Sequence, residues 1–406
     1  MVTSGALDAA DALIAAGRMT RTESVSDPRV EALALCVSAN LPVLLWGEPG
    51  IGKTATLTAL AERLGTPLET VIASVHEPSD FAGLPVVGAD PAAEGVPMAP
   101  PDWAVRIART GHGLLFFDEL SSAPPAVQAA LLRVVLERRV GSLRLPETVR
   151  IVAAANPPAS AADGWHLAAP LANRFVHLHW HHDPATVARG LTGVWPTVDI
   201  PVVSPARAAS ALARARGAVA GFLTARPGLT HHLPADAAGR GGAWPSPRTW
   251  EMVLRLITFH HASGTNGEAL ALAVTGAIGD GAGLELITYL EQLDLPDPER
   301  VLADPDAFTL PERGDRQYAF LTAVISAVRS RPDRQRWEAG WAVLEKAVAA
   351  GVPDIAARTA MDLAALREPG WPVPASIDAF LDVLSSPAGC DRGPSSARRR
   401  GCSCGG

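Results

Sequence analysis

Gly47-Glu48-Pro49-Gly50-Ile51-Gly52-Lys53-Thr54 decides the reading of this chain. It fits G-x-x-x-x-G-K-[ST], the loop that cradles a polyphosphate. The apolar run Pro42-Val43-Leu44-Leu45-Trp46 before it reads as a buried strand, and Ala55 to Leu64 after it reads as a helix. Glycines let the backbone curl close to phosphates and turn several N–H groups inward. The helix start adds the positive end of its dipole. Lys53 would supply a mobile charge for the β- and γ-phosphates, and Thr54 a hydroxyl for Mg²⁺. The nucleotide-binding stretch therefore comprises Gly47, Glu48, Pro49, Gly50, Ile51, Gly52, Lys53, Thr54 and Ala55. Lys53 and Lys346 are the only lysines, all other basic side chains apart from histidine being arginine, so Lys53 is not one of many interchangeable surface charges.

Working outward, Val43–Trp46, Val71–Val75, Leu114–Phe117, Ile151–Ala155 and Phe175–Trp180 are short apolar runs separated by helical patterns. Such alternation predicts a parallel sheet covered on both faces. Asp27-Pro28 opens a helix through Ala39. Ser121 and Ser122 are expected to cap another, with Pro124 and Pro125 in its first turn and Val127, Ala130, Leu131, Val134 and Val135 along one face. After about Ser204 the strand signals stop and Ala-rich helical segments run to about Leu295. Pro296 to Pro311 reads as a linker with short turns. A last helical block follows, with Leu321, Val324, Ile325 and Val328 on one face and Trp337, Trp341, Leu344 and Val348 on another.

Three further strand ends carry chemistry. Leu114-Leu115-Phe116-Phe117-Asp118-Glu119 ends a buried strand in two acids: Asp118 can hold the metal that bridges the phosphates, and Glu119 can orient or deprotonate a water. Arg150-Ile151-Val152-Ala153-Ala154-Ala155-Asn156-Pro157 ends a second strand in an amide able to bond that water or the γ-phosphate. Arg174, in Pro170-Leu171-Ala172-Asn173-Arg174-Phe175, stands just before a strand, where a guanidinium could reach across a subunit edge. In Ser246-Pro247-Arg248-Thr249, Ser246 is a natural N-cap and Pro247 a natural first helical residue, which holds Arg248 in a stiff first turn.

In this order the motifs resemble the AAA+ ATPases, and within them the MoxR-like branch, over roughly residues 25 to 295. Glu77-Pro78-Ser79-Asp80-Phe81-Ala82-Gly83-Leu84-Pro85 and the hairpin-like Arg139-Val140-Gly141 add to the likeness. The resemblance implies an α/β P-loop core with a parallel sheet, an all-helical lid and a C-terminal helical extension. The expected divisions are a leader over 1–25, the core over 26–203, the lid over 204–295, a linker over 296–315, a helical domain over 316–384 and a disordered tail over 385–406. It implies ATP and Mg²⁺ as ligands, Thr54 and Asp118 holding the metal, and Lys53, Asp118, Glu119, Asn156, Arg174 and Arg248 as the catalytic set. Asn156 would be sensor 1, Arg174 an arginine finger acting in trans, and Arg248 sensor 2, touching nucleotide. An insertion in the second helix would cover about Asp80 to Pro100. A hexameric homo-oligomer is implied, with a von Willebrand factor A domain partner and an ATP-driven role in remodelling or maturing a client protein.

Other readings stay open. A chelatase-type subunit driving metal insertion shares the same core. A nucleotide-gated adaptor would hydrolyse little, which an intact Asp118-Glu119 argues against. A small-molecule kinase would need neither Asn156, Arg174 and Arg248 together nor a separate helical lid. His177, His179 and His181 alternate and could hold a metal on one strand face, but the fold already explains that strand. The chain of 406 residues has a net charge of −7 and no dominant basic stripe, which argues against a nucleic-acid-wrapping surface. No apolar run reaches a membrane span, and Met1 to Arg18 lacks the basic start of a signal peptide. Of the cysteines, Cys36 stands apart from Cys390, Cys402 and Cys404 in the Gly/Ser/Arg tail, and no disulfide framework is suggested. A cytoplasmic location is the expectation.

Overall fold

The computed structural model describes residues 27–87, 95–157, 165–181, 183–192, 200–201, 203–373, 377 and 380. The expected leader and the whole of the expected tail, including Cys390, Cys402 and Cys404, lie outside the described residues.

The first half builds the sheet. Helix α1 (Pro28–Ser38) is capped by the Asp27 side chain and leads to β1 (Val43–Trp46), α2 (Lys53–Leu64) and β2 (Leu68–Ile72). A short helix α3 (Ser79–Ala82) and the hairpin β3 (Leu84–Pro85) and β4 (Met98–Ala99) follow, then α4 (Asp102–Thr110), β5 (Gly113–Asp118) and α5 (Pro125–Glu137). A second hairpin, β6 (Arg139–Val140) and β7 (Leu143–Arg144), precedes β8 (Val149–Ala155), the turn-like α6 (Ala169–Ala172), β9 (Val176–His179) and α7 (Pro184–Leu191). The main sheet has five strands in the order β2-β5-β8-β1-β9, every pairing parallel. Alternate residues of each central strand enter two different cores. Val43, Leu45, Phe116, Val152 and Ala154 face one side, and Leu44, Leu115, Phe117, Ile151 and Ala153 the other. Two-sided burial is why these strands read as unbroken apolar runs.

Two local expectations are corrected. The second strand is Leu68–Ile72, not Val71–Val75, because its ladder to β5 begins at Leu68 opposite Leu114; residues 73–75 form a 3-10 turn instead. As an edge strand it mixes Glu69 and Thr70 with apolar residues, so only its end stood out as apolar. Ser121 and Ser122 do not cap α5, which starts at Pro125 after Pro124; they lie in a separate 3-10 turn, Leu120–Ser122.

The second half is helical: α8 (Pro205–Ala225), α9 (Ala237–Arg240), α10 (Pro247–Ser263), α11 (Gly267–Ile278), α12 (Asp280–Gln292), α13 (Pro298–Ala303), α14 (Gly314–Ser330), α15 (Arg334–Ala349) and α16 (Pro353–Ala364). Helices α10 and α11 pack onto the sheet-side core through Trp250, Val253, Ile257, Ala273 and Val274. The stretch read as a linker contains α13, whose Val301 and Leu302 enter the C-terminal core beside Phe320, Trp337 and Trp341. Glu299 on α13 accepts two bonds from the Arg336 guanidinium, at 2.6 and 2.9 Å. Such a fork on a buried arginine is a strong charge-assisted contact.

Helix α8 (21 residues) is shared between the two helical layers. Ala215, Val219 and Phe222 enter the sheet-side core and Ala213 the C-terminal one. It presses on α14 so closely that a Cβ at Gly217 would lie 2.2 Å from the Ala319 carbonyl oxygen, and one at Gly221 would lie 2.8 Å from Ala319 Cβ. Alanine is the better helix former by about 1 kcal/mol, so propensity alone makes Gly217→Ala stabilising. The backbone contact reverses the sign. Urea unfolding should show a loss of roughly 1–3 kcal/mol, and a gain in stability would show that the two helices do not touch.

Candidate functional site

The loop is built from the C-terminal end of β1. Trp46 pairs with Ala155 on one side and His179 on the other, so the ends of β8, β1 and β9 lie level. Gly47 N donates to Ala155 O at 3.1 Å, and a Cβ on Gly47 would meet Trp180 O at 2.7 Å. Gly50 (φ +81°) and Gly52 (φ +89°) take left-handed conformations that side chains resist. Helix α2 then starts at Lys53, inside the motif rather than after it, so its free N-terminal amides border the loop.

Lys53 is buried at 8 % exposure, and its ammonium donates to Gly47 O at 2.5 Å, Glu48 O at 2.9 Å and Asn156 Oδ1 at 3.4 Å. Burial lowers its pKa, and the Asp118 carboxylate opposes that shift. Lys53, Asp118 and Asn156 are thus brought to one place from three strand ends. Glu119 follows in a left-handed conformation (φ 55°), and its N–H donates to Asp118 Oδ1 at 2.9 Å. That backbone state costs of order 1 kcal/mol for a non-glycine residue. The Ser74 hydroxyl donates to Glu119 Oε2. Thr54 stands exposed in the first turn of α2. Its hydroxyl and the Asp118 carboxylate are hard oxygen donors, the kind Mg²⁺ takes while keeping several waters.

Sequence reasoning missed two supporting side chains. Ser121 is buried and grips the Asn156 backbone twice: its hydroxyl donates to Asn156 O at 3.1 Å and accepts from Asn156 N at 3.0 Å. Ser74 holds Glu119. Each acts across the fold, from a position that sequence reads as a helix cap or a strand end.

Arg174 and Arg248 form a separate cluster. Ser246 caps α10 in a reciprocal box with Thr249, as the sequence predicts for its N-cap. Asn173, buried, joins the parts: its Oδ1 accepts from Ser246 Oγ at 2.7 Å and from Arg248 Nη1 at 3.3 Å, and its Nδ2 donates to Trp244 O at 3.1 Å. Arg174 donates to Pro170 O, while its buried Nε has no partner among the described residues. Burial, then the like charge of Arg248, lowers the Arg174 pKa. Among the described residues neither arginine is hydrogen-bonded to the Lys53 cluster; instead they lie beside each other.

A cavity of about 570 Å³ opens beside the loop, lined among others by Trp46, Pro157, His179, Arg29, Thr275 and Asp280. His177 does not present itself as a metal ligand. It is buried, and Nδ1 accepts from Trp46 Nε1 at 2.8 Å while Nε2 donates to Ala172 O at 2.9 Å. Among the described residues no group of His, Cys, Asp and Glu side chains is arranged to hold a metal by protein ligands alone, and no helix is long and apolar enough to cross a membrane.

A strand, a glycine loop closing on a buried lysine and an acid pair at the next strand but one define a P-loop nucleotide-binding domain. Residues 42–175 match the AAA domain of the dynein-related subfamily. Protein MoxR of Methylorubrum extorquens is 34% identical over 117 residues, which are 29% of this chain and 33% of that protein. Protein MoxR of Paracoccus denitrificans is 34% identical over 103 residues, 25% of this chain and 29% of that protein. The chain thus spans about a third of the length of the curated relatives it matches. A solved structure from Cytophaga hutchinsonii superposes with a TM-score of 0.42 at 17% identity, over 65% of this chain and 88% of that one, too loosely to add to the case. Residues 42–175 thus match an AAA domain, and part of the chain is similar to MoxR proteins.

Two outcomes follow from the geometry. Ser121→Ala removes both clasps on Asn156 and should cost about 1–3 kcal/mol in denaturant unfolding; an unchanged midpoint would show the clasp to be idle. Burial holds the His177 pKa down to about 4, against 6.5 for a free imidazole. Between these values the unfolded chain binds a proton that the fold excludes. Stability present above pH 6.5 is therefore lost as pH falls toward 4, by at most roughly 3 kcal/mol. Compared with wild type, His177→Gln should flatten that part of the stability–pH curve; an identical slope would remove His177 as its source.

Proposed function

We propose that the protein is an ATP-hydrolysing AAA+ machine of the MoxR type that couples nucleotide turnover to remodelling or maturation of a partner protein. The observation that carries this reading is the convergence of Lys53, Asp118 and Asn156 at the ends of adjacent strands, with Glu119 clamped by Ser74 beside them. A bare nucleotide-gated adaptor has no need of a positioned acid next to the phosphate loop.

In this reading the β- and γ-phosphates of ATP sit on the loop amides and the start of α2. Lys53 exchanges neutral carbonyl partners for charged phosphate oxygens, which accept stronger bonds. The cavity beside Trp46 is of the size that takes a base and ribose. Thr54 and Asp118 would hold Mg²⁺, which neutralises charge on the phosphates when bound. Glu119 accepts the proton of the attacking water, and Asn156 orients that water against the γ-phosphate. Arg174 acts on the nucleotide of a neighbouring subunit. Two arginines side by side, with no carboxylate paired to either among the described residues, support a role in meeting an anion from outside. Arg248 bonds Asn173, the residue directly before the arginine finger, which supports a role in joining lid angle to finger position. A homohexameric ring, a von Willebrand factor A domain partner and a cytoplasmic setting belong to the same reading.

Glu119→Gln should bind ATP as the wild type does but release phosphate at least about a hundredfold more slowly. Unimpaired phosphate release would overturn the assignment of Glu119. Wild-type turnover per subunit should fall on dilution as neighbours separate, and Arg174→Ala should be slow at every concentration. Full turnover by a dilute monomer would remove Arg174 from the reaction.

A further inference from the structure

We propose that His177 is a positioning residue, a rigid tie between the root of the nucleotide loop and the segment that carries Arg174, so that each subunit's own loop sets the placement of the arginine it offers to the next. The inference rests on the reading of Arg174 as a group acting across a subunit interface.

The tie is defined at both ends. Trp46 immediately precedes Gly47, and that junction is pinned by the Gly47 N–H on Ala155 O and by Trp180 O against the Gly47 α-carbon. The Trp46 indole can only donate, so Nδ1 of His177 must be the acceptor; the Ala172 carbonyl can only accept, so Nε2 must carry the hydrogen. One neutral tautomer alone satisfies both, and no ring nitrogen is left over. Ala172 leads straight into Asn173 and Arg174. A displacement of its carbonyl moves Arg174 and also moves Asn173, which Ser246, Arg248 and Trp244 hold from the lid. The lid reaches the tie from the other side as well: Gly276 of α11 lies so close that a Cβ there would stand 2.2 Å from the His177 carbonyl oxygen.

Packing alone does not ask for histidine here. His177 pairs in register with Leu44 and so shares its sheet face, the face whose apolar core includes Leu44. A leucine would fill that place without the cost of burying an imidazole. What the imidazole adds is two directed bonds, to elements on either side of it. The neighbouring His179 and His181 rings are stacked on each other at 6.4 Å and line the cavity along with His177, and neither is bonded to Trp46 or Ala172 among the described residues.

The full-length protein carries the test. Trp46→Phe removes the donor at one end. His177→Asn keeps an acceptor toward Trp46 and loses the bond to Ala172, while His177→Gln does the opposite. Each is made alone and with Arg174→Ala, and each is assayed for binding of a fluorescent ATP analogue and for phosphate release at saturating protein. The tie predicts analogue affinity within about threefold of wild type and turnover down by about tenfold in each single variant, since small misplacements of a catalytic group are costly. In the Arg174→Ala background the same changes should lower turnover no further, because they act through that arginine. A folded single variant with normal turnover overturns the proposal, and so does the same fold-loss in both backgrounds, which a merely structural role gives. Normal turnover by Arg174→Ala alone overturns the finger assignment itself, and the tie with it.

Discussion

The placement of β1 between β8 and β9 is the constraint on which the site depends. Parallel pairing fixes register, and with Trp46 opposite both Ala155 and His179 the chain leaves all three strands at one level. The loop from β1 and Asn156 from β8 then meet through the Lys53 side chain. On the far side of β8, β5 brings Asp118 and Glu119 to the same edge. Crossovers between parallel strands are right-handed and need helices on the faces. The two cores that bury those helices therefore also fix the geometry of the strand ends.

At that edge the protein buries polar groups and leaves few of them unpaired. Lys53 has three acceptors for its three N–H groups, Ser121 both donates and accepts, and Asn173 uses both ends of its amide. A buried polar group with its bonds made is close to neutral in stability, whereas one left unmade costs 1–3 kcal/mol. Such groups are consequently held in one arrangement. Two departures stand among the candidate site residues: Glu119 in a left-handed backbone state, and Arg174 with a buried Nε unpartnered among the described residues, beside a second arginine.

This distribution also explains what the sequence could tell. The loop, Asp118-Glu119 and Asn156 were legible because each is a contiguous string at the end of a buried run, so motif and strand identify one another. The α10 cap was legible because Ser-Pro at a helix start is local chemistry. Ser74, Ser121 and His177 were not, since their roles lie in contacts between residues far apart in the chain: Ser74 with Glu119, Ser121 with Asn156, and His177 with Trp46. Ser121 even invited a wrong local reading, because a serine before prolines at a helix start resembles a cap. The second strand was misplaced for a related reason. An edge strand buries only part of its surface, and Glu69 and Thr70 broke the apolar run that marks the central strands.

Helix α8 joins the two helical cores. Its residues enter both the sheet-side core and the C-terminal core, and its contact with α14 is backbone on backbone at Gly217. The Arg216 guanidinium adds a bond to Ser326 of α14 at 3.1 Å. At Gly217 glycine faces alanine, so no flexible side chain stands at that contact to absorb a shift, and packed interiors repack in steps rather than deform smoothly. A rotation that carries α8 with the lid must therefore carry α14, and through the shared C-terminal core α13, α15 and α16 as well. Asn173 is the hinge-side counterpart, bonding the strand end that bears Arg174 to the first turn of α10. The lid is thus tied at its base to the segment bearing Arg174 and fused at its far side to the C-terminal helices.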